Sequence, residues 1–191
     1  MKKCRTCKSK FEPFNSLHVV CGPVCALKYA QKEKIKAAEG KAKEQRKWVK
    51  EQRERLKSRG DHLKDSQKAF NAYVRTRDAH RPCISCGSYS NNNDLITGSR
   101  VDAGHYRSVG ACPELRFEEL NCWSQCVRCN QHLSGNAVEY RIRLRQVIGD
   151  EALDWLEGPH EAKKYSIEDL KAITAKYRKM TRELESQRKA A

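Results

Sequence analysis

Long runs of polar and charged residues separate short apolar clusters along this chain. From Ala26 to Arg59 the residues are mostly Ala, Lys, Glu, Gln and Arg, which are strong helix formers, and no proline interrupts them. The apolar residues of this stretch are too sparse to bury a full helix face. The pattern therefore predicts a long, exposed helix that ends at Arg59-Gly60-Asp61.

Later segments show the three- and four-residue spacing of amphipathic helices that pack on a core. This spacing predicts three further helices, over His62–Asp78, Asn136–Val147 and Asp150–Leu156. A fourth begins at Ser166–Asp169, which has the form of a capping box with Asp in place of the usual Glu. The apolar residues predicted to be core and packing positions are Phe70, Tyr73, Val74, Leu170, Ile173, Tyr177 and Met180.

Charge is concentrated at one end of the chain. The 191 residues carry a net charge of +15. Residues 1–80 hold 22 basic and 9 acidic side chains, whereas residues 81–136 hold five of each. Such a basic segment favours a polyanion as partner. The long helix is then either a solvated linker that touches nothing, or a helix that lies along a phosphate backbone and pairs with a second copy of itself.

The chain lacks the usual signals for membranes and secretion. No apolar run approaches the ~20 residues needed to span a membrane. The lysines at the N-terminus are not followed by the hydrophobic stretch of a secretory signal. We therefore expect an intracellular protein with no membrane partner. Disulfides do not persist in a reducing compartment, so its ten cysteines are expected to include metal ligands.

Eight of the ten cysteines form two sets of closely spaced pairs. The first set is Cys4-x2-Cys7 with Cys21-x3-Cys25, and the second is Cys83-x2-Cys86 with Cys126-x2-Cys129. This spacing places four thiolates around Zn²⁺, so we expect two structural zinc ions. Residues 1–25 are too few to fold by apolar burial alone, so the metal must brace them, with Phe11 and Phe14 packed over it. Cys112 and Cys122 fit no pair and are predicted to be small buried residues.

The segment enclosed by the second set carries the groups that phosphodiester hydrolysis needs. His105 is the candidate for a base that is neutral near pH 7. Asp102 and Asn130 offer the oxygen ligands that a hard divalent cation prefers. His132 either completes this cation site, contacts phosphate or faces solvent. Each residue alone is more often structural, as a hydrogen-bonding His, a turn-forming Asp or an Asn that caps a helix. Together, however, the order of these residues within and directly after the segment enclosed by the second cysteine set, here called the zinc clamp, favours a nuclease.

These motifs resemble those of a known group of nucleases. The order CxxC, Asp…His, Asn, CxxCN is similar to the HNH, or ββα-metal, endonucleases, and within them to the zinc-clamped phage endonuclease VII type. More specifically, the chain resembles the NinG (Rap) recombination proteins of lambdoid phages. The stretches that carry this likeness are PCISCG (82–87), DAGHYRS (102–108), LRFEELN (115–121) and QCVRCNQHLSGN (125–136), with CRTCKSKFEPF at the start of the chain.

The resemblance implies a structure-specific endonuclease that uses Mg²⁺ or Mn²⁺. Its substrates would be branched double-stranded DNA, such as Holliday junctions and D-loops, in the cytoplasm of the bacterial host. The implied core is a β-hairpin followed by a helix, with His105 on the first strand, Asn121 orienting that strand and Asn130 at the helix start. In the common pattern the metal-binding Asp directly precedes the His. Here two residues intervene, so Asp102 either binds the metal directly, supports the metal ligands by hydrogen bonds, or contacts the backbone of the zinc site.

We therefore predict a mostly helical α+β protein in four parts. These are an N-terminal zinc knuckle (1–25), a long basic arm (26–60), a zinc-clamped HNH-like core with its leading helix (61–136) and a C-terminal helical region (137–191). Phosphate contacts are expected from Lys43, Arg46, Lys47, Lys50, Arg53 and Arg107. Symmetric incision of a four-way junction favours a homodimer. Two other functions stay open: a zinc-finger protein that binds nucleic acid without cutting it, and a protein-interaction scaffold built on the long helix.

Overall fold

The computed structural model describes residues 1–89 and 101–190. The protein is a mostly helical α+β fold with two small two-stranded sheets. Contacts divide the chain into two compact units, Met1–Lys57 and Ser58–Ala191. Among the described residues, no helix is long and apolar enough to cross a membrane.

The first unit is a small hairpin module followed by one long helix. Strand β1 (Lys2–Lys3) pairs antiparallel with β2 (Lys10–Phe11). Helix α1 covers Pro23–Arg55 and begins with a proline. Proline has no backbone N–H, and this costs nothing here because an N–H at the first helical position has no acceptor within the helix. No residue of α1 is buried. This exposure confirms the long, solvent-facing helix that its sparse apolar residues predict.

The boundary between the first two helices differs from the predicted one. Arg59-Gly60-Asp61, expected to end the long helix, instead forms the first turn of α2 (Arg59–Arg77). The reason is a capping box at Ser58. The Ser58 hydroxyl accepts a hydrogen bond from the backbone N–H of Asp61, and the Asp61 carboxylate accepts one from the backbone N–H of Ser58. This cap starts a new helix despite the glycine that follows it.

Phe14 does not pack over the N-terminal module, contrary to expectation. Its side chain is 92% exposed. Phe11 does pack, edge-on against the His18 ring with the ring centroids 5.1 Å apart. The turn between β2 and Cys21 is closed by its own polar groups, because the Phe14 N–H donates to His18 Nδ1. That bond holds the backbone of Phe14 against the turn and leaves its side chain outside.

The described residues of the second unit form a β-hairpin and four helices. Strand β3 (Val101–His105) pairs antiparallel with β4 (Cys122–Cys126), with His105 opposite Cys122. A 3₁₀ turn (Pro113–Leu115) lies between the strands, and a π-helical turn (Arg128–His132) follows β4. The C-terminal helices are α3 (Ala137–Ile148), α4 (Asp150–Glu157) and α5 (Ile167–Ala190). The limits of α3 and α4 and the start of α5 agree with the predicted ones to within one residue.

Each face of the hairpin packs on its own apolar cluster. One cluster joins the hairpin to α2 and α5 through Ala69, Phe70, Tyr73, Val74, Cys122 and Tyr177, with Ile173 and Met180 at its edge. The other joins it to α3 and α4 through Ile84, Cys112, Leu115, Trp123, Tyr140, Leu144, Leu153 and Leu156. The predicted core residues and the two unpaired cysteines are thus confirmed as packing positions. Leu170, which belongs to neither cluster, is fully buried. Successive strand residues point to opposite faces, so each side chain belongs to one cluster or the other.

Candidate functional site

Each predicted set of four cysteines converges on one point. The Sγ atoms lie within 4.8 Å of one another in Cys4, Cys7, Cys21 and Cys25, and likewise in Cys83, Cys86, Cys126 and Cys129. Zn–S bonds of about 2.3 Å in a tetrahedron set the sulfurs about 3.8 Å apart. The Sγ atoms of Cys21 and Cys25 are 3.6 Å apart, and those of Cys86 and Cys126 are 3.9 Å apart. Both clusters therefore fit zinc, and four thiolates leave no position for a reacting water.

Hydrogen-bond donors surround the sulfur atoms of both clusters. The N–H of Cys21 points to Cys4 Sγ at 3.3 Å, and the N–H of Cys126 points to Cys83 Sγ at 3.3 Å. Burial raises the pKa of the Cys4 thiol, but backbone N–H groups outweigh it and lower that pKa to about 6. Burial of Cys86 is likewise outweighed, chiefly by hydrogen bonds from Ser88, which lower its pKa to about 6. These hydrogen bonds favour the thiolate at Cys4 and Cys86, whereas the neighbouring thiols Cys7 and Cys25 raise the pKa of Cys21 to about 12.

Gln125 ties the second cysteine cluster to the hairpin, a role that spacing of metal ligands does not reveal. It is fully buried, and its Nε2 donates to the Ser85 hydroxyl at 2.6 Å and to the Gly135 carbonyl at 2.5 Å. Its Oε1 lies where a Cβ on Gly104 would approach to 2.1 Å. Only glycine fits opposite this amide. A glycine inside a strand is the sequence signal of such a close approach.

His105 ends strand β3 with both ring nitrogens near protein groups. Its Nε2 lies 3.0 Å from the carbonyl oxygen of Arg116, and its Nδ1 lies 3.6 Å from the Sγ of Cys122. A carbonyl can only accept, so Nε2 carries the proton and Nδ1 is the basic nitrogen. Burial, partly against Phe70, lowers the pKa of His105, although the Arg116 carbonyl opposes the shift. The imidazole is therefore neutral at pH 7.

Asn121 holds the loop that follows His105. It is fully buried, and its Oδ1 accepts from the N–H of Arg107 at 2.8 Å. Its Nδ2 donates to the carbonyls of Arg107 at 3.0 Å and Leu115 at 3.2 Å. The N–H of Tyr106 in turn donates to the Asn121 carbonyl at 2.8 Å. These bonds close both ends of the loop and fix the backbone directly after the histidine.

Asp102 and Asn130 meet in the structure, but away from His105. The Asp102 carboxylate accepts from Asn130 Nδ2 at 2.9 Å and from Gln131 Nε2 at 2.6 Å. Asp102 and His105 are three residues apart on one strand, so their side chains point to opposite faces. His105 packs toward Phe70 of α2, whereas Asp102 reaches the π-helical turn. The structure thus does not bring the predicted base and the predicted Mg²⁺ ligands together on one face.

Of the three predicted Mg²⁺ ligands, Asp102 and Asn130 are in contact with each other. His132 is exposed at the end of the π-helical turn. Asn130 presents its amide nitrogen to Asp102, so its oxygen would have to turn toward a cation. Within the described ranges, only the two cysteine clusters gather three or more ligand atoms from His, Cys, Asp or Glu. One carboxylate and one amide fit a Mg²⁺ ion that keeps most of its water ligands.

The cations predicted on the arm lie in the open on α1. Lys43, Arg46, Lys47, Lys50 and Arg53 are all exposed. The Lys47 Nζ lies 3.9 Å from a Glu51 carboxylate oxygen, and a surface pair of this kind holds a side chain only weakly. Arg46, Lys50 and Arg53 line an open groove of about 670 Å³ along the helix. Their guanidinium and ammonium groups are therefore available to phosphates.

Arg107 has a different environment from the arm. Its guanidinium donates to the carbonyls of Leu156 at 3.1 Å and Glu157 at 3.0 Å. These carbonyls end α4, where helical donors are lacking. The side chain is half-buried and completes the end of a helix. A phosphate contact, as predicted for Arg107, would compete with these bonds.

Comparison with known proteins gives one family. The family described as "Bacteriophage Lambda NinG protein" matches residues 1–187. "Protein ninG" of Escherichia phage lambda is 40% identical over 206 residues, which span 100% of this chain and 96% of that protein. The proteins of the same name from Escherichia phage 933W and Salmonella phage P22 are each 39% identical, again across 100% of this chain and across 96% and 97% of theirs. No solved structure matches the chain.

Proposed function

Since the chain belongs to the NinG family of lambdoid bacteriophages, we propose that it is a metal-dependent endonuclease that hydrolyses phosphodiester bonds in branched DNA, such as four-way junctions and D-loops. The observation that carries the proposal is the state of His105. It is a neutral imidazole with Nε2 held by a carbonyl and Nδ1 left basic. It stands at the end of a hairpin whose other strand ends in a zinc ligand.

In the proposed mechanism, His105 acts as general base. The hydrogen bond from Nε2 to the Arg116 carbonyl orients the ring, and Nδ1 would take the proton of a water that attacks phosphorus. That water must replace the Cys122 thiol, whose Sγ lies 3.6 Å from Nδ1. Asn121 keeps the backbone after the histidine in place. Asp102 with Asn130 would hold a Mg²⁺ ion, which would supply charge neutralisation at the phosphate and the leaving oxygen. The base and this pair serve one phosphate only if the DNA lies along the edge of β3, where the two faces meet.

The arm would supply most of the affinity. Its cations contact phosphates, which are the same in every sequence, so binding is strong at low salt and shows little sequence preference. Selectivity would then arise from the shape and flexibility of a branch point. Two incisions placed symmetrically in a four-way junction would require two copies of the chain.

Cleavage of a labelled four-way junction tests the proposal. Wild-type protein is expected to cut in the presence of Mg²⁺ and not in its absence, with Mg²⁺ omitted rather than chelated so that zinc stays bound. His105→Ala is expected to lower the cleavage rate by about 100-fold or more while junction affinity and zinc content are retained. His80→Ala, which alters an exposed histidine in the turn after α2, is the matched control and should cut like the wild type.

Two outcomes would contradict parts of the proposal. Unchanged cutting by His105→Ala would remove the assignment of the base. Junction binding without cleavage at any Mg²⁺ or Mn²⁺ concentration would instead support a zinc-finger protein that binds DNA and does not cut it. The placement of His105 and Asp102 on opposite faces is the observation that favours this second candidate.

A further inference from the structure

The N-terminal module carries an exposed apolar tip. In the turn between β2 and Cys21, Phe14 is 92% exposed and Leu17 is 84% exposed. Single exposed apolar residues are common on protein surfaces. Phe14 and Leu17 are a substantial fraction of the apolar side chains in this module of about 25 residues. A module of that size has few apolar side chains with which to form a core, so the exposure of these two is unusual.

Hydrogen bonds within the turn keep the two side chains outside. The N–H of Phe14 donates to His18 Nδ1, and the N–H of Leu17 donates to Asn15 Oδ1, both at 3.0 Å. The Lys2 ammonium donates to the Ser16 carbonyl at 2.7 Å and joins the turn to β1. These polar groups of the turn thus form their hydrogen bonds within the module. The apolar pair is presented on a braced loop rather than on a free chain end.

The unit that carries the tip is basic. Residues 1–25 hold five basic side chains and one acidic side chain. The same unit has an open cleft of about 400 Å³ lined by Arg5, Lys8, Lys28 and Lys32, with Glu33 as its one acidic member. Arg5 is positioned there by a 2.9 Å hydrogen bond to the Tyr29 hydroxyl. Cations that can hold phosphates therefore occur in the same unit as an apolar tip that can contact base faces.

We propose that Phe14 and Leu17 form a wedge that inserts between bases at a DNA branch point, while the cationic cleft holds the adjoining phosphates. Apolar side chains that enter a base step unstack it, and aromatic rings stack on the exposed bases. Bases at a branch point are already partly unstacked, so insertion there costs less than in a continuous duplex. The wedge would give the preference for branched DNA that phosphate contacts alone lack. This inference rests on the proposed DNA function but concerns binding, not cleavage.

Binding of the full zinc-loaded chain to a four-way junction tests the wedge. The junction carries 2-aminopurine at the branch point, and Mg²⁺ is omitted so that no cutting occurs. Wild-type protein is expected to raise the fluorescence as the base unstacks. Phe14→Ala is expected to abolish that rise and to weaken junction binding about tenfold, with little change for an unbranched duplex of the same length. Phe14→Trp should behave like the wild type.

Control variants separate the wedge from general effects. Val138→Ala alters an apolar residue that is 73% exposed on α3 in the other unit, and it should bind like the wild type. Two zinc ions per chain in Phe14→Ala would show that its module is folded. Should that variant lose zinc, Leu17→Ala gives the same test, with the expected loss of junction affinity.

Specific results would overturn the wedge. One is a folded Phe14→Ala variant with wild-type junction affinity and fluorescence. Another is binding to phosphatidylserine vesicles that depends on Phe14 while junction binding does not, which would assign the tip to a membrane. A wild-type protein that shows the Phe14-dependent fluorescence rise but never cuts DNA would leave the wedge intact and remove the nuclease proposal.

Discussion

At the scale of single residues, the chemistry of the candidate site depends on strand faces. His105 and Asp102 lie close in the sequence and inside one zinc clamp, which is why they were predicted to act together. A spacing of three along a strand sends them to opposite faces, and each then joins different neighbours, Phe70 for one and Asn130 for the other. The types and order of the residues thus predict which chemical groups the segment contains. The position of each residue along the strand determines which of these groups come into contact.

The protonation of His105 gives the first prediction at this scale. We expect its pKa in the native protein to lie below the ordinary value of 6.5, because burial disfavours the charged ring. In the urea-unfolded chain the pKa should return to about 6.5. A titration followed by NMR of labelled histidine, with His105 assigned by its absence in His105→Gln, measures both values.

The same shift fixes the sign of a stability effect. The unfolded chain binds the proton more readily, so the contribution of His105 to the free energy of unfolding is complete above pH 6.5 and decreases as the pH falls through the native pKa. His105→Gln should show a flatter pH dependence of stability in that range. A native pKa above 6.5 would contradict both expectations. It would also place the ring in a more polar environment than its contacts indicate.

At the scale of elements, helix positions were largely predictable from the chain and one helix boundary was not. The capping box at Ser166 was recognised because an apolar stripe follows it, and its reciprocal bonds are present. Ser58 and Asp61 have the same spacing, but the basic run before them and Gly60 between them favoured a helix end at that point. Local breaker residues thus suggested a stop where side-chain capping makes a start.

The cap at Ser58 gives the prediction at this scale. Ser58→Ala removes the acceptor for the Asp61 N–H and is expected to lower the free energy of unfolding of the second unit by about 1 kcal/mol. The matched control is Ser186→Ala, which alters an exposed serine inside α5. That change should fall within about 0.5 kcal/mol of the wild type. Urea unfolding followed by circular dichroism measures both variants. Equal stabilities for the two would show that the Ser58 cap contributes nothing.

At the scale of the whole molecule, charge and candidate chemistry belong to different parts of the chain. Helix α1, with the predicted phosphate contacts Lys43 to Arg53, lies in the unit Met1–Lys57, and the hairpin with His105 lies in Ser58–Ala191. The distribution of charge along the sequence predicts this division, because residues 81–136 have no net charge. Cysteine spacing likewise predicted one cluster in each unit, and both converge. Phe14 is the counterexample, because composition cannot tell whether an aromatic residue in a small module packs inward or faces outward.

Each unit having its own cysteine cluster leads to a prediction about metal removal. Cys21→Ser is expected to reduce the zinc content from two ions to one and to abolish amide-exchange protection in residues 1–25, because a module of that size cannot stay folded without its metal. Protection around the hairpin should remain, since that part lies in the other unit. Cys126→Ser should have the converse effect, with loss of amide-exchange protection in β4 and around Cys83 and Cys86, and with protection of residues 1–25 retained.

The control for both changes is a cysteine that belongs to neither cluster. Cys112 is buried in the cluster around α3 and α4, so Cys112→Ser perturbs packing without removing a ligand. The Cys112→Ser variant should keep two zinc ions, although its amide hydrogens near the 3₁₀ turn are expected to exchange faster than those of the wild type. Zinc stoichiometry by mass spectrometry under native conditions and exchange by peptide mapping give the two measurements. Loss of protection in both units after either ligand substitution would mean that the units fold as one, and that the metal sites are not independent.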